Sequence, residues 1–169
     1  MRKNLVLLGM MSVGKTTIGK IVAKKQGLEF VDTDTNIEKK CSMKISEIFK
    51  KKGEKFFRIE EEKEVLKSLT KSNCVIALGG GAFVNESIRN SILKNAISMW
   101  LDNDLVTLNK RIKWNKSRPL LDKKNNQKKI NKLYAERKNI YKLANHKIVC
   151  SDLGKEDIAN KIIVFYEQH

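Results

Sequence analysis

The chain has a single proline, Pro119, among its 169 residues. So sparse a supply excludes a proline-rich linker, and no repeat or low-complexity segment interrupts the sequence. Cysteine is scarce too: Cys41, Cys74 and Cys150 are odd in number, and no two are close together. That pattern excludes a disulfide framework and a zinc cluster, and it fits a reducing cytoplasm. Cys74 and Cys150 border apolar runs and are expected as buried structural thiols. No apolar run approaches the roughly 20 residues of a membrane span, and residues 4–8 are too short for a secretion signal's core. A single cytoplasmic domain over residues 1–169 is expected, its core drawn from the 41% of residues that are hydrophobic.

Aromatic residues make up only 7% of the chain, and none interleaves with a basic patch of the kind single-stranded nucleic acid requires. Base is what the chain has in excess: 35 Lys and Arg against 19 Asp and Glu, a formal charge of +16. The excess is mostly lysine dispersed along the sequence, which reads as a solvated surface. No nucleic acid, membrane or protein partner is expected, and a monomer is. A positive field still favours anionic small molecules.

Apolar runs and helical spacing alternate. Strands are expected at 4–8, 29–31, 74–78, 96–101 and 147–150. Helices are expected at 15–26, about 34–41, 45–52, 54–70, 86–94, 104–114, 127–144 and 155–168, with Gly27 as a helix stop. Short continuous apolar strands separated by helices predict an α/β fold: a five-stranded parallel sheet with helices on both faces, in three layers. Ligands bind such sheets at the carboxyl ends of the strands, so the loops after residues 8, 31 and 78 are expected to share one site.

The first of these loops carries the sharpest signal. Gly9-Met10-Met11-Ser12-Val13-Gly14-Lys15-Thr16 matches G-x-x-x-x-G-K-[ST] between an expected strand and helix. Backbone N–H groups of Ser12, Val13 and Gly14 would cradle phosphate at a helix N-terminus. Lys15 would reach the β- and γ-phosphates, Thr16 would bind Mg²⁺, and Thr17 would touch the α-phosphate. The motif predicts ATP binding without naming the acceptor. No Asn-Lys-x-Asp guanine signature follows, which argues against a GTPase. The strand at 75–78 ends in Gly79, where a metal-binding aspartate would ordinarily stand. Asp32-Thr33-Asp34 supplies the carboxylates instead. If this segment is extended, positions i and i+2 face one side and both reach the phosphate site. Asp32 would hold the metal. Asp34 would either aim an acceptor hydroxyl or merely cap a helix beginning at Thr35.

The phosphate loop, Phe30-Val-Asp-Thr-Asp34 with Ile37-Glu38, Phe57-Arg58-x-x-Glu61, Leu78-Gly-Gly-Gly81 and Arg118-Pro-Leu-Leu121 occur in the order seen in shikimate kinases. The chain resembles that family over about residues 4–150. The resemblance implies a P-loop kinase fold of the nucleoside monophosphate kinase type, and ATP-dependent phosphorylation of the 3-hydroxyl of shikimate. It implies that Arg58 and Arg137 hold the acceptor's carboxylate, that Asp34 holds its hydroxyls, and that Gly79, Gly80 and Gly81 lie against its ring. Arg118 would close over the phosphates from a lid at 113–125, Arg111 would pack on adenine, and residues 34–70 would form the acceptor-binding helices. Lys15, Asp34 and Arg118 would be the catalytic residues. By spacing alone Arg58 and Glu61, at i and i+3, read rather as a surface ion pair. Arg137 reads as a solvated helical residue and Arg118 as a loop charge. Met10 and Met11 replace small residues and are expected to carry little side-chain duty. Ser151-Asp-Leu-Gly154 lacks the proline many relatives carry beside the base. A gluconate- or nucleoside monophosphate-type P-loop kinase is the nearest competing reading. A nucleic-acid-binding ATP switch, resting on charge alone, is the other.

Overall fold

The computed structural model describes residues 2–113 and 126–169. Five strands form one parallel sheet: β1 (Asn4–Leu8), β2 (Glu29–Asp32), β3 (Cys74–Ala77), β4 (Ala96–Asp102) and β5 (His146–Val149), in the order β2-β3-β1-β4-β5. Among the described residues seven α-helices connect or flank them: α1 (Lys15–Gln26), α2 (Thr33–Cys41), α3 (Ile45–Leu69), α4 (Glu86–Asn95), α5 (Leu105–Lys113), α6 (Asn126–Tyr141) and α7 (Lys155–Glu167). Every residue of β1, β3 and β4 is buried, so both faces of the sheet are covered. The expected fold class and all five strands are present. Apart from Lys113 at the end of α5, the expected lid, with Trp114 and Arg118, lies outside the described residues.

The register sets the site. Asp32 pairs with Ala77, and Ala77 with Leu7, so β2, β3 and β1 end at one level. From β1 the chain moves outward to β2, whereas from β3 it crosses to β4 on the far side of β1. The connections therefore part at the carboxyl ends of β1 and β3 and leave a crevice there. Asn4 pins this register at the other end: its amide oxygen accepts from the Cys74 N–H at 3.0 Å and its amide group donates to the Lys71 carbonyl at 2.7 Å.

Sequence and backbone agree closely along the helices. Gly27, at φ 65°, caps α1 as expected. α3 is broken at Gly53 (φ 81°, ψ 166°), where the sequence predicts two segments meeting; only glycine takes that φ without strain. The break turns α3 back over α2, and Ile37, Ile48 and Phe57 form a small core of their own between them. Met10 corrects an expectation: it is 1% exposed and belongs to the main core, so it does carry side-chain duty. An apolar loop residue packed beneath the sheet edge braces the loop.

Cys74 and Cys150 are buried as expected, and Cys41 is half-buried. Burial raises the Cys150 thiol to about 11, with Asp102 adding to the shift, and burial also raises Cys74. Iodoacetamide at pH 8 is expected to alkylate Cys41 first, and the other two only after denaturant is added. Peptide mass spectrometry reads this out; early labelling of Cys150 would contradict the packing.

Candidate active site

Two chambers open in the crevice. The first, of about 300 Å³, is lined by Ser12, Gly14, Lys15, Thr16, Thr17, Asp32, Asp34, Leu78, Gly80 and Arg111. The second, of about 290 Å³, is lined by Met11, Thr35, Glu38, Ile45, Phe49, Phe57, Arg58, Glu61, Gly79, Gly81 and Arg137, and shares Thr16, Asp32, Asp34 and Gly80 with the first. A group held in one chamber therefore meets a group held in the other at Asp34 and Thr16.

The first chamber is built by the loop after β1. Gly14 takes φ 109°, a conformation that opens α1 with its N–H groups facing the chamber. Lys15 folds back over the loop and donates to the carbonyls of Gly9 and Met10 at 2.8 and 2.9 Å. Val13 is buried, so it can serve a ligand only through its backbone; its carbonyl accepts from Arg111 at 3.2 Å. Arg111 also borders a neighbouring cleft of about 220 Å³ with Leu153 and Lys155, next to Thr17. Thr16 donates its hydroxyl to Asp32 at 2.7 Å. Among the described residues no group of three or more His, Cys, Asp or Glu is placed to hold a metal. One carboxylate and one hydroxyl suit Mg²⁺, which keeps waters and takes the rest of its shell from phosphate oxygens.

The Asp-Thr-Asp segment differs from expectation. It is not extended: α2 begins at Thr33, and Asp32, not Asp34, is the N-cap, accepting from the Thr35 N–H at 3.1 Å. A single capping turn, not strand alternation, brings Asp34 round to the shared wall. Thr33, which the sequence reading passes over, is fully buried and ties β2 to β3: its hydroxyl donates to the Ala77 carbonyl and accepts from the Gly79 N–H at 3.2 Å. Met11 is also missed. It is 5% exposed and lines the second chamber, so the expectation of little side-chain duty fails for it as well.

Both arginines expected at the acceptor stand in the second chamber. Arg58 donates from Nη1 to Glu61 at 2.7 Å and from Nε and Nη2 to Glu54 at 3.2 and 3.1 Å. Burial works against its charge, but Glu61 and Glu54 more than offset this and raise its pKa. Glu61 is only 1% exposed; burial pushes its carboxyl above the ordinary range, and Arg58 and Arg137 reverse only part of the shift. The 2.7 Å bond to a guanidinium is the firmer guide, and it argues for the ionised pair. Arg137 is buried rather than solvated, and donates to the Gly80 carbonyl at 3.0 Å. Tyr141 donates to the same oxygen; burial raises its phenol and keeps it protonated.

A family model described as shikimate kinase matches residues 11–167. The chain belongs to the shikimate kinase family. A shikimate kinase of Bartonella quintana is 43% identical over 96% of this chain and 77% of its own length. That of Bacillus subtilis is 41% identical over 95% and 87%. The structure of the Acinetobacter baumannii shikimate kinase in complex with shikimate superposes with a TM-score of 0.95 at 31% identity, covering 99% of this chain and 94% of that one. A gluconokinase from Sinorhizobium meliloti, 11% identical with a TM-score of 0.60, shares the fold alone.

The turn after β3 gives the sharpest steric test of the site. A Cβ on Gly79 would stand 2.5 Å from Asp34 Oδ1 and 2.8 Å from the buried Glu61, and one on Gly81 would stand 2.6 Å from Arg58 Nη1. Gly79→Ala is therefore expected to lower kcat/KM for the acceptor by about 100-fold or more, the scale of a ~1 Å misplacement of positioning groups. ATP affinity should change little. Steady-state kinetics with each substrate varied checks this; an unaltered acceptor KM and kcat would contradict the close approach.

Proposed function

We propose that the two chambers divide one phosphoryl transfer between them, ATP in the first and shikimate in the second. The reaction is that of the family: the γ-phosphoryl group of ATP passes to the 3-hydroxyl of shikimate, giving shikimate 3-phosphate and ADP. The observation that carries the assignment of chambers is their common wall at Thr16, Asp32, Asp34 and Gly80. Such a transfer asks the protein for alignment and charge stabilisation more than for covalent chemistry.

The shikimate carboxylate would lie between Arg58 and Arg137, where a planar guanidinium matches it and each charge-assisted bond contributes roughly 1.5–3 kcal/mol. Its ring would rest on Gly79, Gly80 and Gly81, with Phe49, Phe57 and Met11 as the apolar wall. Asp34 would accept from the attacking hydroxyl and aim it at the phosphoryl group. Lys15 would turn from the loop carbonyls to the β- and γ-phosphates. Thr16 and Asp32 would hold Mg²⁺, whose charge draws phosphate oxygens into place. By family resemblance Arg118, which lies outside the described residues, would join Lys15 at the phosphates, and the expected lid at 113–125 would exclude water. Arg111 would pack on the base, in the cleft with Leu153 and Lys155. Residues 34–70 act as the acceptor-binding part of a single domain. No helix among the described residues is long and apolar enough to cross a membrane. We infer a cytoplasmic monomer without a nucleic-acid partner.

A coupled assay of ADP release across shikimate, gluconate and nucleoside monophosphates tests the reading, with turnover expected on shikimate alone. Lys15→Ala and Arg118→Ala should lower kcat by at least about 100-fold. Arg58→Ala should raise the shikimate KM about 10- to 100-fold with a smaller effect on kcat, as expected for a lost ground-state contact. An unchanged KM in Arg58→Ala would remove Arg58 from the acceptor site.

A further inference from the structure

The guanidinium of Arg58 is already shared by two carboxylates. Glu54 accepts from Nε and Nη2 through a single oxygen, Oε1, and Glu61 takes Nη1. One N–H is left on each Nη, and an acceptor carboxylate approaching either meets a cation whose charge Glu54 and Glu61 have largely offset. An incoming carboxylate can use those two N–H groups, but it binds better if one of the two competing carboxylates withdraws. Glu61 cannot: its side chain is 2% exposed and anchored at 2.7 Å. Glu54 can, since its side chain is 58% exposed. It also follows directly on Gly53, the break in α3, where nothing lies within 4 Å of the position a Cβ would take.

We propose that Glu54 is an internal competitor for the acceptor's carboxylate, holding Arg58 in place and leaving it when the acceptor binds. This rests on the assignment of Arg58 to the acceptor and adds a residue that sets acceptor affinity through it. The role is positional, because Glu54 acts through Arg58 and is not among the residues lining the chamber. It gives the exchange a physical purpose. An arginine tied only through Nη1 to Glu61 would be free to swing about that bond, whereas Glu54 holds it through Nε and Nη2 as well.

The test is Glu54→Gln in the full chain, which keeps the shape and removes the charge. The shikimate KM is expected to fall about three- to fivefold at low ionic strength, the span that a half-exposed ion pair can hold. The difference should shrink as salt is added, since such a pair is screened. Two further readouts separate competition from a structural effect. The KM of a shikimate analogue bearing a carboxamide in place of the carboxylate should not fall, and kcat for shikimate should stay within about twofold. A shikimate KM that rises or stays level overturns the proposal, as does an equal fall for the carboxamide. If the unaltered chain releases no ADP with shikimate, the functional reading itself fails, and Glu54→Gln is not needed to show it. If shikimate is turned over normally and Glu54→Gln leaves its KM level, only the competitor role is lost.

Discussion

Both oxygens of one carboxylate are committed, and the site is assembled around it. Asp32 Oδ1 caps α2 and Oδ2 accepts the hydroxyl of Thr16 in the first turn of α1. The side chain thereby ties together two helix N-termini that follow different strands. Those termini carry the positive ends of their helix dipoles, so anionic ligands are favoured where they converge. The tie works only because β1, β2 and β3 end level. A one-residue slip of β2 would turn Asp32 to the opposite face of the sheet and abolish both bonds at once. Asn4, at the far end of β1, is therefore as much a part of the site's geometry as the residues that line it.

The two guanidinium groups of the second chamber are held by different means. Arg58 is fixed by carboxylates, one of them buried. Burying Glu61 is costly, and a buried ion pair is weak support for stability. What it supplies is direction: a carboxylate that cannot move sets where Nη1 points. Arg137 is fixed by a carbonyl, that of Gly80, which it shares with Tyr141. The turn after β3 is thus clamped from α6 through Gly80 and from α2 through Thr33. Three glycines in succession form a poor scaffold by themselves. Here their neighbours hold them, and the lack of side chains leaves room for Asp34, Glu61 and Arg58 to come close.

Local pattern made much of this readable. The phosphate loop is contiguous, the strands are short apolar runs, and a lone glycine at 53 announces its own break. What stayed hidden depends on contacts between distant segments. Asp34 reaches the shared wall through a capping turn and not through strand alternation, because the cap by Asp32 starts the helix at Thr33. Thr33 looks like filler between two acids, yet its hydroxyl bridges 44 and 46 residues of sequence to Ala77 and Gly79. Met11 and the burial of Arg137 could not be seen without knowing what packs over them. Glu54 and Arg58 are spaced as an ordinary i, i+4 pair, and only the placement of Arg58 at a chamber gives the pair further meaning.

The charge of +16 and the acceptor chamber pull in opposite directions, and the contrast bears on selectivity. Among the described residues lining that chamber, Asp32, Asp34, Glu38 and Glu61 are acidic, and Arg58 and Arg137 are basic. A basic surface draws anions from a distance, but salt screens that field within roughly 8–10 Å. Inside, the local groups decide. An anion with one carboxylate, able to sit between the two arginines and turn hydroxyls toward Asp34, meets complementary charge at both ends. A phosphate-bearing acceptor brings more negative charge into a chamber that already carries these carboxylates, and like charges a few ångströms apart repel. The acids that line the chamber thus oppose, at close range, the attraction that an excess of lysine on the surface exerts on anions.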